Sequence, residues 1–328
     1  MIMEPPSEAT KRQKIPSGGH PGLPSGLWIV ATPIGNLSDL SPRARLALEH
    51  ADWIACEDTR RTRSLLSAVG IPASREGGGD RLRRFDRHTS SEVAESWVRE
   101  MESAGESIAL VSDAGTPGIS DPGALLVRHA LDAGIRVTPV PGPSAVSAFL
   151  SVTGWPDADC FGFQGFLPRQ KKTLEGTVHE RAGWARSTGR AWISVWFESP
   201  ERVGESLKVI DSVLSGDPGV EVAACKELTK VHERLFRGSP SQVSAEVSEE
   251  LEREGALGEW AIAIKFPAVG AGASEPASQE EWGRALECLQ DAGVKDSESA
   301  RIISHRFGVS RDEAYRRALD FKKRWRGG

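Results

Sequence analysis

Three stretches of the 328-residue chain bring glycine, proline and small polar residues together more densely than a plain connection requires. The first is Thr32-Pro33-Ile34-Gly35-Asn36-Leu37. The second, Val111-Ser-Asp-Ala-Gly-Thr-Pro-Gly-Ile-Ser-Asp-Pro-Gly123, packs three glycines, two prolines and two aspartates into one loop. The third is Val140-Pro-Gly-Pro-Ser144. Proline fixes φ and glycine frees it, so such turns are tight and let a ligand come close to the main chain. Each follows a short apolar run, and ligands of open α/β sheets bind outside the carboxyl ends of the strands. Three restricted loops at one sheet edge point to a nucleotide-like ligand. They are not the usual phosphate loops: no GxGxxG follows the first run, no GxxxxGK[ST] occurs, and the acidic-GxGxG loop is absent.

Three further groups carry ionisable or basic chemistry. Glu57-Asp58-Thr59-Arg60 stands at another strand end. Asp58 or Thr59 suits a helix N-cap near the positive end of the helix dipole, whereas a carboxylate at Glu57 has no such structural use. Lys230, in Glu227-Leu-Thr-Lys230, becomes a base if burial lowers its pKa and an anion contact otherwise. Arg60, Arg61 and Arg63 are either exposed helical arginines or contacts to phosphates, which position a substrate without reading its sequence.

The elements that must hold these groups follow from apolar runs and punctuation. Strands are expected at Leu27–Thr32, Trp53–Cys56, near Leu82–Phe85, at Ile108–Ser112 and at Ile135–Val140. Helices are expected from Ser41-Pro42 to about Ala51, and over Thr59–Val69, Ser91–Ala104 and Pro122–Ala133. Ser before Pro opens a helix, and Gly70, Gly105 and Gly134 close three. Strict alternation of strand and helix means a parallel sheet with helices on both faces. A second block, from about Cys160, has runs at Ala191–Phe197, Val220–Cys225, Leu235–Arg237 and Trp260–Phe266. Helices Gln170–Arg186, Glu201–Leu214 and Ser241–Glu254 lie between them, a mixed α/β pattern. The last block is helical, with Asp296 able to cap one helix and Ser310-Arg-Asp-Glu313 forming a capping box for the next. From Arg301 onward it carries nine basic residues against three acidic ones. That arm is either a polyanion contact or a solvated helical face.

ATPIGNLSDLSPRA, CEDTRRTRSLL, ALVSDAGTPGISDPG and PVPGPSAVSAF, in this order and spacing, resemble the tetrapyrrole methylase superfamily, and more narrowly its branch that methylates ribosomal RNA. FESPERV, KELTKVHE and GEWAIAI resemble the second domain of that branch. The likeness covers Leu27 to Pro267, and the C-terminal helices resemble the appended module of longer members. The resemblance implies an α/β fold of two domains, with S-adenosyl-L-methionine (AdoMet) folded into the cleft between them, and a homodimer. It implies a cofactor site of Pro33, Ser112, Asp113, Ala114, Ile119, Ser120, Ser144 and Ala145, completed by Phe197, Leu228 and Trp260. The apolar members would pack on adenine, and Asp113 would complement the sulfonium charge or cap its loop. Glu57 would act as base or orient a ribose hydroxyl, Lys230 would be a second catalytic candidate, and Arg60, Arg61, Arg63 and His88 would face RNA. That branch carries His-Asn-Glu near Phe85–Glu92; here Thr89-Ser90 follow His88, a departure that favours a plain surface histidine over a catalytic role for the segment. The implied reaction is 2′-O-methylation of a cytidine in the decoding region of 16S rRNA in the small ribosomal subunit.

The rivals are a tetrapyrrole C-methyltransferase of the same superfamily and a non-catalytic RNA- or DNA-binding protein. The net charge of −5 gives no global basic field, so any RNA contact is local. Four scattered cysteines, with no CxxC pair, exclude a zinc ribbon and argue for a reducing cytoplasm; no metal is expected. No apolar run is long enough to span a membrane. The expected organisation is a disordered extension over 1–25, an N-terminal domain over 26–150, a second over 151–267, a linker over 268–280 and an RNA-contacting helical module over 281–328.

Overall fold

Gly26–Val30 (β1), the first apolar run, is a central strand of a five-stranded sheet. After it come helix Pro42–His50 (α1), strand Trp53–Cys56 (β2), helix Thr59–Ala68 (α2), strand Leu82–Arg84 (β3), helix Ser91–Ala104 (α3), strand Ser107–Val111 (β4), helix Ala124–Asp132 (α4) and strand Val137–Val140 (β5). In this computed structural model the described residues are 23–74, 78–119, 123–156, 160–268, 279–291, 294–307 and 309–325. They divide into two units: one runs to Pro33 and from Leu37 to Pro143, the other takes Ile34–Asn36 and everything from Ser144. The expected extension and linker lie almost wholly outside the described residues.

The sheet of unit 1 is parallel throughout, in the order β3-β2-β4-β1-β5. Its helices cover both faces. Ala44, Ala47, Leu48 and Leu66 of α1 and α2 pack with Val30, Ile54 and Val111. Ala94, Trp97, Met101, Leu126 and Ala130 of α3 and α4 pack with Leu27, Ala55 and Leu110 on the other face. A fully buried leucine such as Leu48 contributes about 1.5–3 kcal/mol. The helix ends follow the sequence signals: the Ser41 hydroxyl accepts from the Ala44 N–H, the Asp58 carboxylate from the Arg60 N–H, and Gly105 is left-handed. The buried Arg81 guanidinium donates to the carbonyls of Leu48, Ala51 and Pro72 and so closes α1. From β1 the chain passes β4 to reach β2, and from β4 it passes β1 to reach β5. Adjacent strands whose connections leave in opposite directions make a topological switch point, where such sheets bind ligands.

Unit 2 begins with helix Ala145–Val152 (α5) and strand Phe161–Phe166 (β6). Then come helix Lys171–Thr188 (α6), strand Trp192–Glu198 (β7), helix Val203–Leu214 (α7), strands Glu221–Lys226 (β8) and Arg234–Gly238 (β9), helix Pro240–Glu254 (α8) and strand Trp260–Phe266 (β10). The sheet order is β6-β7-β10-β8-β9, with only β6 and β7 parallel. Helices α6, α7 and α8 cover one face, and α5 packs on the other. Helices Gln279–Asp291 (α9), Asp296–Phe307 (α10) and Arg311–Trp325 (α11) close a small core of their own around Trp282, Leu286, Ile303 and Ala314. The Ser310 hydroxyl accepts from the Glu313 N–H, half of the expected capping box. Two α/β sheets followed by a helical module is the expected fold class.

Candidate functional site

All five strands of unit 1 present their carboxyl ends at one edge, and the switch-point loops are joined there. Thr32, after β1, and Gly115, after β4, exchange main-chain hydrogen bonds of 2.9 and 3.1 Å. The fully buried Thr32 hydroxyl donates to the Ser112 carbonyl at 3.2 Å, and the Ser112 hydroxyl turns back to Gly115 O at 3.1 Å. Gly142, after β5, passes so close to β1 that a Cβ there would stand 2.9 Å from Ala31 Cβ. Of the expected cofactor residues here, Pro33 is buried, while Ala114 and Ile119 are exposed on the same loop edge. Ser120 lies outside the described residues.

The β2 loop is tied to this edge by Asp113. Its carboxylate accepts from the Asp58 N–H at 3.2 Å and pairs with Arg61 at 3.3 Å. The Asp113 side chain thus clamps two loops together. Arg60 pairs with Asp58 through two nitrogens, and those bonds hold the Asp58 carboxyl well below the usual carboxylate range. Arg63 pairs with Asp80. Asp58, Arg60, Arg61, Ser64 and Asp113 line a shallow depression. Among the described residues the half-buried Glu57 carboxylate has no hydrogen bond or ion pair. His88 is exposed in a turn capped by Asp86.

In unit 2 the expected residues gather at one rim, formed by the carboxyl ends of β7 and β8 and the start of β10. Phe197 and Leu228 are half-buried on the face that α5 partly covers, and Ser144 and Ala145 open α5 itself. Trp260 is not on that face. Its register opposite Glu198 and Lys226 turns the ring into the helix-covered core, stacked on Phe236 at 5.9 Å, rather than toward the face of Phe197 and Leu228. The Lys230 ammonium meets Glu227 at 2.8 Å and Glu259 at 3.1 Å. Burial works to lower its pKa, but the two carboxylates outweigh it and leave Lys230 above an ordinary lysine. The condition for a base is therefore not met, and Lys230 remains a cation.

The loop that carries Lys230 was the least legible part of the rim. Glu227 and Thr229 both adopt left-handed conformations, with φ of 54° and 66°. A β-branched residue there is an outlier, and such strain collects at functional sites. Among the described residues the buried Thr229 hydroxyl oxygen has no hydrogen-bond partner. In the helical module, Arg301 pairs with Glu298 and Arg317 lies over Trp282 at 4.7 Å, so part of the cationic arm is spent on its own packing.

Residues 26–243 match the sequence model of the family described as tetrapyrrole (corrin/porphyrin) methylases. The chain belongs to this family. A ribosomal RNA small subunit methyltransferase I from Xylella fastidiosa is 39% identical over 293 residues, covering 89% of this chain and 98% of that protein. A protein of the same name from Mycobacterium tuberculosis is 37% identical over 299 residues, covering 90% and 95%. Among solved structures, diphthine synthase superposes with a TM-score of 0.51 at 13% identity, over 74% of this tetrapyrrole methylase and 89% of its own chain. At that identity the likeness speaks for the fold alone.

Proposed function

We propose that this tetrapyrrole methylase is an AdoMet-dependent methyltransferase of small-subunit ribosomal RNA, acting on the ribose 2′-oxygen of a cytidine in the decoding region. The observation that carries the reading is the joined loop edge at the switch point of unit 1, in a chain whose relatives along nearly their whole length are named for rRNA methylation. The residues present suit AdoMet: the restricted loops of unit 1 offer main-chain groups for its polar parts. The same reading has the protein working as a homodimer in the cytoplasm.

Bound AdoMet supplies a methyl carbon on a sulfonium, a good leaving group. The chain mainly has to align. Holding nucleophile and carbon at near-attack distance is worth about 7–11 kcal/mol. Glu57, without a partner among the described residues, accepts the hydrogen bond of the ribose hydroxyl and takes its proton as the oxygen–carbon bond forms and the carbon–sulfur bond breaks. Lys230, held as a cation, and the arginines of α2 meet phosphates.

Purified protein incubated with tritiated AdoMet and either small subunits or free rRNA tests this directly. Label mapped to one ribose 2′-oxygen is the expected result. Label on a supplied tetrapyrrole, or none on RNA, overturns it. Glu57→Gln with full turnover and normal AdoMet affinity removes Glu57 from the reaction.

A further inference from the structure

Phe166, at the end of β6, keeps 64% of its surface open. The register of β6 on β7 sets Phe161 opposite Ile193, Phe163 opposite Val195 and, across a bulge, Phe166 opposite Phe197. Gly165 takes a φ of 74° in that bulge. The extra residue brings Phe166 onto the face of Phe163 and Phe197, where strict alternation would have turned it away. The Phe163 and Phe197 rings lie 4.7 Å apart, and Phe166 meets Phe197 edge-on at 5.9 Å. Phe166 is thus braced from within while most of its ring stays uncovered.

Uncommitted positive charge follows at once. Leu167 turns into the helix-covered core, then Arg169, Gln170, Lys171 and Lys172 are all exposed. Lys171 has Glu175 at 4.0 Å. Arg169 and Lys172 make no hydrogen bond or ion pair among the described residues. Glu198 and Glu205, nearby on β7 and α7, are already engaged by Arg202 and Lys208. A braced aromatic ring with two free cations within six residues matches what a single-stranded polynucleotide needs: a face for an unstacked base and charges for its phosphates. A second copy of this chain fits less well, because a two-fold contact here would set the free cations against one another.

We propose that Phe166, Arg169 and Lys172 form a stacking-and-phosphate subsite for an unpaired nucleotide of the substrate RNA; this rests on the rRNA reading above. The test is fluorescence anisotropy with a labelled single-stranded oligoribonucleotide of about 12 nucleotides, titrated at several KCl concentrations. Phe166→Ala is expected to weaken binding by about tenfold, with Phe166→Trp restoring it. The pair Arg169→Gln and Lys172→Gln is expected to lower the salt slope by about 1.4. Thermal midpoint and AdoMet affinity by calorimetry should stay unchanged in all three, while KM for small subunits rises. Wild-type Kd and salt slope in both Phe166→Ala and the double variant would overturn the subsite. So would a changed sedimentation mass for Phe166→Ala with RNA affinity intact, which assigns the ring to a contact between copies. A wild-type protein that methylates no RNA refutes the function instead, and the anisotropy series still decides the subsite.

Discussion

Glu250 is the residue whose neutralisation should cost unit 2 most. It sits on α8, 1% exposed, and its carboxylate meets Lys226 at 3.1 Å, Arg234 at 2.6 Å and Arg253. Lys226, 4% exposed, ends β8 and also reaches Glu254 at 2.9 Å. Burial works to lower the Lys226 pKa, but hydrogen bonds to the two carboxylates leave it raised, so the buried group is an ammonium. Glu250→Gln keeps the shape and removes the charge. Arg234 and Arg253 are about half exposed and return to water, but Lys226 cannot. Breaking a buried pair by removing one partner costs about 3–5 kcal/mol. Glu254 stays in place and offsets part of that, so a loss of about 2–3 kcal/mol is expected. With an m-value of about 2 kcal/mol/M, the urea midpoint falls by about 1–1.5 M. Adding Lys226→Met removes the stranded charge, and the double variant should lose less than the sum of the singles, with a coupling of about 1–3 kcal/mol. A Glu250→Gln loss below about 0.5 kcal/mol, or strictly additive singles, would refute the reasoning.

Thr32→Val removes the hydroxyl that joins the switch-point loops while keeping its shape; it should cost about 1–2 kcal/mol and weaken AdoMet binding, and an unchanged thermal midpoint and Kd would show that the joint is idle. Burial pushes the Cys56 thiol up to about 11 and that of Cys225 to about 12. At pH 8 a thiol reagent should therefore label Cys160 and the exposed Cys288 quickly and the other two only in denaturant; fast labelling of all four contradicts their burial. Glu221 and Glu227 are each pushed up by burial but held below an ordinary glutamate by Arg237 and Lys265 in one case and Lys230 in the other. Depressed carboxyl pKa values contribute stability that is present above about pH 4.5 and lost as pH falls through the folded values. The urea midpoint should stay level from about pH 7 to 5.5 and drop below about 4.5, and a rise toward acid would reverse the sign.

The alternation that announced unit 1 was legible because its signals are local. Ser41-Pro42 and Asp58 act within three residues, and strands Trp53–Cys56 and Trp260–Phe266 fall where their apolar runs begin and end. β6 escaped notice because Phe-Gly-Phe-Gln-Gly-Phe alternates only until the Gly165 bulge, and two glycines in six residues read as loop. The facing of Trp260 was illegible for a different reason. β10 is buried on both faces, so no polar alternation marks which side its ring takes. The state of Lys230 depends on Glu259, 29 residues away, and the pairing of Arg61 on Asp113, which spacing along the chain does not encode.

The side chains of the unit 1 loops explain how those loops can be both restricted and open. The Thr32 hydroxyl and the Asp113 carboxylate are spent on bonds between loops and the Ser112 hydroxyl on its own loop, although the resemblance assigns Ser112 and Asp113 to a ligand. Among the described residues of the β4 loop, those exposed to solvent are Ala114, Gly118 and Ile119, none with a polar side chain. Recognition by main chain held in fixed turns depends on loop shape, so substitutions that keep the turns should be mild and those that part the loops severe. Ile119→Val should accordingly leave AdoMet affinity within about threefold, less than the change expected for Thr32→Val, although Thr32 is fully buried. If the exposed Ile119 proves the more sensitive of the two in calorimetry, the site recognises its ligand by side-chain contact and the argument from joined loops fails.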